Sequence, residues 1–186
     1  MRRSFGAKPI LFPQPVFIIG TYGEDGAPNA MNAAWGGLAE ENQIMMCISA
    51  GHKTTENILK RGAFTVSMAT EEAVTACDYV GMVSGNDVPD KFSRAGLHHT
   101  KSELVDAPII IELPMCLECK LLEYDPETCR LFGEIVNVSA DESILDSDEI
   151  IDYKKLRPIT FDPARESYVA LGETVASAFK IGGNIK

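Results

Sequence analysis

The sequence predicts a mainly β fold, a β-barrel decorated by short helices. Strand-like runs of apolar and β-branched residues recur at short intervals between turn clusters. Helix-like periodicity is brief wherever it occurs. The regular alternation of strand and long helix that builds a doubly wound parallel sheet is missing.

The first strand is Val16-Phe17-Ile18-Ile19-Gly20-Thr21-Tyr22, closed by the turn-rich Gly23-Glu24-Asp25-Gly26-Ala27-Pro28-Asn29. Small residues follow, Ala30-Met31-Asn32-Ala33-Ala34-Trp35-Gly36-Gly37, and include the only tryptophan. Residues 44–49 are a continuous apolar run, the pattern of a strand buried on both faces. The period then changes. Thr54-Thr55-Glu56-Asn57 opens a short helix, with Ile58 and Leu59 buried and Gly62 as its stop. Residues 63–68 alternate as a strand. Thr70 is placed to cap a second helix, Glu71 and Glu72 suit the positive end of its dipole, and Val74, Cys77 and Gly81 share one face. Residues 85–90 form a loop ahead of Lys91-Phe92.

The second half is β. Ile109-Ile110-Ile111 is a strand. Met115, Leu117, Cys119 and Leu121 alternate with Cys116, Glu118, Lys120 and Leu122. Asp125-Pro126-Glu127-Thr128 turns the chain, and residues 129–138 return as the second arm of a long antiparallel hairpin. Residues 141–152 are an acidic loop with a short helix. The tail holds Tyr168-Val169-Ala170-Leu171-Gly172 and ends in Gly182-Gly183, expected to fray.

One domain over residues 1–186 accounts for the length, and a chain of 186 residues buries enough surface to need no disulfide or metal staple. Lys and Arg number 17 against 27 Asp and Glu, a net charge of −10. Nucleic acid and anionic membrane surfaces both require a basic face, so neither is an expected partner. No segment approaches the ~18–20 apolar residues of a membrane span. The Arg2-Arg3 start is followed by no continuous apolar run of a secretion signal. Five cysteines, an odd number set mostly in apolar stretches, suit a reducing compartment. A cytoplasmic protein is expected.

Few residues are patterned for side-chain catalysis. The glycine-rich fingerprints of dinucleotide and P-loop sites are absent, as is a nucleophile elbow. Cys116 and Cys119 have no second pair to complete a zinc site, and three positions along a strand puts them on opposite faces. Adjacent His98 and His99 likewise point apart if extended. The best anion candidate is Ser49-Ala50-Gly51-His52-Lys53-Thr54, between a strand end and a helix start. Unpaired N–H groups, the helix dipole, two hydroxyls and two donor or cationic side chains meet there. The plainer alternative is that Thr54 only caps the helix and Lys53 is a solvated charge. Lys91 is a second cation if the fold brings it near. Residues 29–37 offer small side chains and accessible main chain, suited to a flat ligand, or else a tight strand anchored by Trp35.

These residues also fall in a familiar order. Thr21, Gly26 and Pro28 lead to Asn29-x-Met31-x-x-x-Trp35. A strand running into Ser49 precedes His52-x-Thr54-x-x-Asn57-Ile58. Gly62-x-Phe64, Asp90-Lys91-Phe92, Pro108, Leu117-Glu118-Cys119, Gly133-Glu134-Ile135-Val136 and Tyr168-x-x-Leu171-Gly172 complete the series. The chain resembles the flavin reductase-like, FMN-binding split-barrel family, and most of all its flavoredoxin branch, over residues 8–175.

The resemblance implies a Greek-key split β-barrel and a homodimer with one FMN per subunit, FMN ranking ahead of FAD. The stretch Asn29, Met31, Asn32, Ala33, Ala34 and Trp35 would run along the flavin ring. Main-chain N–H groups near Ala33 to Trp35 would bond the ring. Ser49, His52 and Thr54, with Lys91, would surround the phosphate, and Ile48, Ala50 and Lys53 complete that segment. Hydride would pass from NAD(P)H to the flavin N5, so no catalytic side chain is required, and electrons would go on to oxygen, a bound substrate or a redox partner protein. A non-enzymatic electron carrier or FMN-binding module is the alternative. Two positions depart from the family's habit: Asn32 stands where threonine is common. His52 stands where arginine is common, a residue type whose charge depends on pH in the neutral range.

Overall fold

Residues 1–185 are described by a computed structural model. Its elements are β1 (Gln14–Pro15), β2 (Phe17–Tyr22), β3 (Pro28–Ala33), β4 (Gly36–Glu40), β5 (Gln43–Cys47), α1 (Lys53–Arg61), β6 (Ala63–Met68), α2 (Val74–Met82), α3 (Lys91–Arg94), β7 (His99–Lys101), β8 (Pro108–Ile110), β9 (Met115–Asp125), β10 (Arg130–Ala140), α4 (Tyr153–Leu156), β11 (Ile159–Asp162) and β12 (Ser167–Ala170).

Seven strands form one antiparallel sheet in the order β3-β2-β6-β9-β10-β5-β4. Its edges are β3 and β4, yet only Ala34 and Trp35 separate them in the chain. Strands lie ~4.8 Å apart, so the edges of a flat sheet this wide would be about 29 Å from each other. The link spans roughly 11 Å at most. The sheet is therefore rolled into a barrel split between β3 and β4, with Ala34-Trp35 bridging the split. The mainly β split-barrel class expected from the sequence is the one observed. Smaller sheets, β1-β11-β12 and β7-β8, pack beside it.

Rolling creates an inside and an outside, and the central strands are buried on both. Phe17, Ile19, Phe64, Val66, Leu117, Cys119 and Leu131 fill the barrel. Val16, Ile18 and Ala30 face Cys77 and Val80 of α2 and Phe92 of α3. A strand covered on both faces has no polar phase, which is why residues 16–19 are apolar throughout. In β6 the alternation is real but both phases are buried, and Thr65 Oγ1 donates to the Pro108 carbonyl at 2.6 Å. Cys116 and Cys119 do lie on opposite faces, opposite Ser67 and Phe64 of β6, and burial pushes their thiols up to about 11 and about 12.

Several local expectations need correction. β5 is not buried on both faces: Ile44 and Met46 point into the barrel, while Met45 is half-buried and Cys47 exposed. The apolar outer phase of β5 lines hollows rather than core. Leu59 is 50% exposed, because the inward stripe of α1 is Thr54, Thr55, Asn57 and Ile58. α1 starts at Lys53 with His52 at the cap position, and Gly62, at φ 67°, ends it as expected. Thr70 does not cap α2; its Oγ1 accepts the Ala73 N–H at 3.2 Å in the turn before that helix. Ile111 lies beyond the end of β8. The β9-β10 hairpin stands where expected, its turn held by Asp125, which accepts the Glu127 N–H at 2.9 Å and the Thr128 hydroxyl at 2.6 Å. The acidic loop holds a single 3-10 turn, Glu142–Ile144, and the tail ends in another, Ile181–Asn184. No helix among the described residues is long and apolar enough to cross a membrane.

Candidate functional site

A hollow of about 370 Å³ follows the split of the barrel. Met31, Asn32, Ala33, Ala34 and Trp35 form one side of it, with Ile48. Asp78, Gly81 and Met82 of α2 and Phe161 and Tyr168 of the small sheet form the others. A second hollow of about 250 Å³ shares Met31, Asn32, His52, Gly81 and Met82, and reaches Lys53, Thr54 and Lys91. The two make one groove with a flat section along the link and a polar section at the start of α1.

The flat section is built from main chain. The Ala34 carbonyl accepts from Gln14 Nε2 at 3.1 Å, and the Trp35 carbonyl accepts from the Cys47 N–H at 2.8 Å. Among the described residues, no protein acceptor meets the N–H of Ala34 or of Trp35. The methyl side chains of Ala33 and Ala34 leave that backbone accessible. Trp35 is 56% exposed at the rim, so it is no core anchor. Gly81 lets α2 lie close against β3, since a Cβ there would fall 2.8 Å from the Asn32 Cβ. Asn32 Nδ2 donates to the Cys77 carbonyl at 3.1 Å and to the Tyr168 hydroxyl at 3.3 Å, and Tyr168 donates to Asp78 Oδ1 at 2.7 Å. Burial, then the neighbouring Asp78, push the Tyr168 phenol up to about 12, so it stays a neutral donor.

The polar section gathers hydrogen-bond donors. Among the described residues no side chain caps α1, and the first N–H groups of the helix meet no protein acceptor at the positive end of its dipole. Thr54 Oγ1 accepts from Asn29 Nδ2 at 2.8 Å, which leaves the Thr54 proton free to donate into the groove. Asn29 also donates to Thr21 Oγ1 at 3.2 Å, and Thr21 accepts from Asn57 Nδ2 at 3.1 Å. Lys53 pairs with Glu56 at 3.1 Å on the half-exposed side of the helix. Lys91 is only 3% exposed, and its Nζ donates to the carbonyls of Val80 and Val83, each at 2.9 Å. Burial lowers its ammonium to about 8.

The groove thus gathers Met31, Asn32, Ala33, Ala34, Trp35, Ile48, His52, Lys53, Thr54 and Lys91. Three expected residues lie off its walls. Asn29 is buried behind Thr54. Ser49 and Ala50 are exposed in the preceding turn, where the Ser49 carbonyl accepts from Thr55 Oγ1 at 2.7 Å and from the His52 N–H at 3.2 Å. Lys91 also has a second job, closing the carbonyl end of α2. Sequence reasoning missed Asp78, Gly81, Met82 and Phe161 as lining residues. It noted Tyr168 only as part of a pattern. His98 and His99 are elsewhere: His98 meets Glu112 at 2.7 Å, and His99 meets the Tyr22 hydroxyl at 3.0 Å.

A sequence model of the family described as "Flavin reductase like domain" matches residues 10–160. The chain belongs to that family. Among solved structures, the flavoredoxin of Desulfovibrio vulgaris (Miyazaki F) is 39% identical with a TM-score of 0.93, over 98% of this chain and 100% of that one. The flavoredoxin of Methanosarcina acetivorans is 26% identical with a TM-score of 0.87, over 98% of each chain. The FMN-binding domain of a flavin reductases-like enzyme from Shewanella baltica OS155 shares the fold at 20% identity, with a TM-score of 0.78 over 88% of this chain and 89% of that one. The flavin reductase-like fold accounts for the groove as the gap of a barrel that does not close.

Proposed function

We propose that the groove binds FMN and that the protein is an NAD(P)H-dependent flavin reductase. One observation carries the reading: a flat, main-chain-lined section opens directly into an uncapped helix N-terminus flanked by Thr54, His52, Lys53 and Lys91. A flat ring with an anionic tail matches both sections. The donor set fits a phosphate: helix N–H groups, the Thr54 hydroxyl and the cationic or donor side chains beside it. The unpaired N–H groups of Ala34 and Trp35 fit the polar edge of the ring, and Met31, Ile48 and Phe161 fit its apolar body. When bound, flavin supplies the redox chemistry, taking electrons from NADH or NADPH and giving them to an acceptor. The protein's part is to bind, orient and shield, and Tyr168 stands in the wall as a neutral hydroxyl whose proton goes to Asp78.

A second reading is electron carriage between protein partners, favoured by the 39% identity with a flavoredoxin over the whole chain. A homodimer belongs to both readings. The exposed apolar residues Ile10, Leu11, Phe12, Trp35 and Leu38 support it. Anaerobic mixing of the FMN-loaded protein with NADH and with NADPH separates the readings. Bleaching of the oxidised flavin band by either nucleotide supports the reductase. A band that neither nucleotide bleaches, but dithionite does, favours the carrier.

A further inference from the structure

Charge is divided along the groove. Lys53 and Lys91 stand in the section at the start of α1, and His52 lies where the two sections meet. Asp78 stands in the flat section. It is half-buried on α2, and among the described residues it makes no ion pair; its hydrogen bond comes from the Tyr168 hydroxyl at 2.7 Å. His52 lines the same hollow, but the groups linked to Asp78 by hydrogen bonds or packed beside it on the wall bring no positive charge. Tyr168 is held neutral, Cys77 on the same helix is a buried thiol raised to about 11, and Asn32, Met82 and Phe161 are uncharged.

We infer that Asp78 sets the reduction potential of the flavin bound in this groove, holding it below the value the same site would give without a carboxylate. The inference rests on the flavin reading above. An oxidised flavin ring is neutral, and a fixed negative charge in a partly buried wall affects it little. Reduction adds electron density to the ring, and the same charge opposes it. Asp78 is thus a positioning residue for charge, acting on the difference between two states of a ligand rather than on binding as such. The Tyr168 hydroxyl and the Asn32 amide hold the carboxylate side of the groove in place.

The test uses the full chain loaded with FMN, as wild type, Asp78→Asn and Asp78→Glu. Fluorescence titration gives the affinity for oxidised FMN, and anaerobic dye-coupled redox titration gives the midpoint potential. For Asp78→Asn, oxidised FMN binds within about threefold of wild type. The preference for reduced over oxidised flavin rises about tenfold, an upward shift of ~30 mV for a two-electron couple. Asp78→Glu keeps the charge and stays near the wild-type potential. Asp78→Ala is a second neutral variant, should Asp78→Asn not fold, and moves the same way. Equal potentials in the wild type and the neutral variants, with FMN bound, would overturn the inference and leave the flavin reading intact. A wild type that binds no FMN would overturn both.

Discussion

Asn29 donates to Thr54 Oγ1 across 2.8 Å, from a buried side chain that lies off the groove walls. The contact orients the threonine hydroxyl. With its oxygen already accepting, Thr54 offers the groove a proton. Thr21 and Asn57 hold Asn29 in turn. Strands β2 and β3 and the N-terminal half of α1 are tied together at the point where an anionic tail would sit.

Replacing that hydroxyl with a methyl group tests the arrangement. Thr54→Val should weaken FMN binding by about 1–2 kcal/mol while leaving riboflavin, which has no phosphate, nearly unaffected. Fluorescence titration of both ligands measures the difference. Equal losses for FMN and riboflavin would place Thr54 outside the phosphate contact.

Lys91 closes α2 and, on the proposed function, also faces the phosphate, and its replacement should reveal both roles. Lys91→Ala removes the donor that closes α2 at Val80 and Val83, so stability should fall by about 1–3 kcal/mol in urea unfolding. FMN affinity should fall with it. Unchanged stability alongside weaker FMN binding would assign Lys91 to the ligand alone.

The pH dependence of Lys91 has opposite signs for stability and for binding. Its ammonium is lowered to about 8 from an ordinary value of 10.5. Between those values the unfolded chain binds more protons than the folded one, so stability rises with pH across this window relative to Lys91→Met. Below about pH 8 the folded and unfolded chains both hold the proton, and the difference is flat. On the proposed function, in which the Lys91 ammonium faces the phosphate, FMN affinity should weaken above about pH 8 as that charge is lost. Parallel unfolding and binding series from pH 7 to about 10.5 would check both signs.

Gly81 sets how closely α2 approaches β3. Gly81→Ala places a methyl group 2.8 Å from the Asn32 Cβ, so the helix or the strand must move. A stability loss of about 1–3 kcal/mol is expected. Weaker binding of FMN and of riboflavin alike should follow, because the displaced wall faces the flat section. Thermal melts and the two titrations read this out.

The α1 end of the polar section was legible in the sequence because it is local: the end of β5, a turn and a helix start lie within residues 47–57, whereas Lys91 reaches it only through the fold. The flat section was half legible. Small residues around Ala33 and Ala34 signalled exposed backbone. That they bridge the split of a rolled sheet depends on β3 and β4 being opposite edges, which no local pattern states. The far wall was not legible. Asp78, Phe161 and Tyr168 are distant in sequence from residues 31–54, and only tertiary packing sets them opposite Asn32. The reading of β5 failed for a related reason. Met45 and Cys47 are apolar because hollows lie beside them, and a sequence pattern does not separate that from a buried face. α4 and β11 carried no clear periodic signal in their short runs.

The most direct measurement is the visible spectrum of the purified chain after loading with FMN and desalting. The groove described here should retain an oxidised-flavin spectrum, close to one FMN per chain. A chain that stays colourless, and that also fails to quench FMN fluorescence in titration, would contradict the assignment of the groove to a flavin.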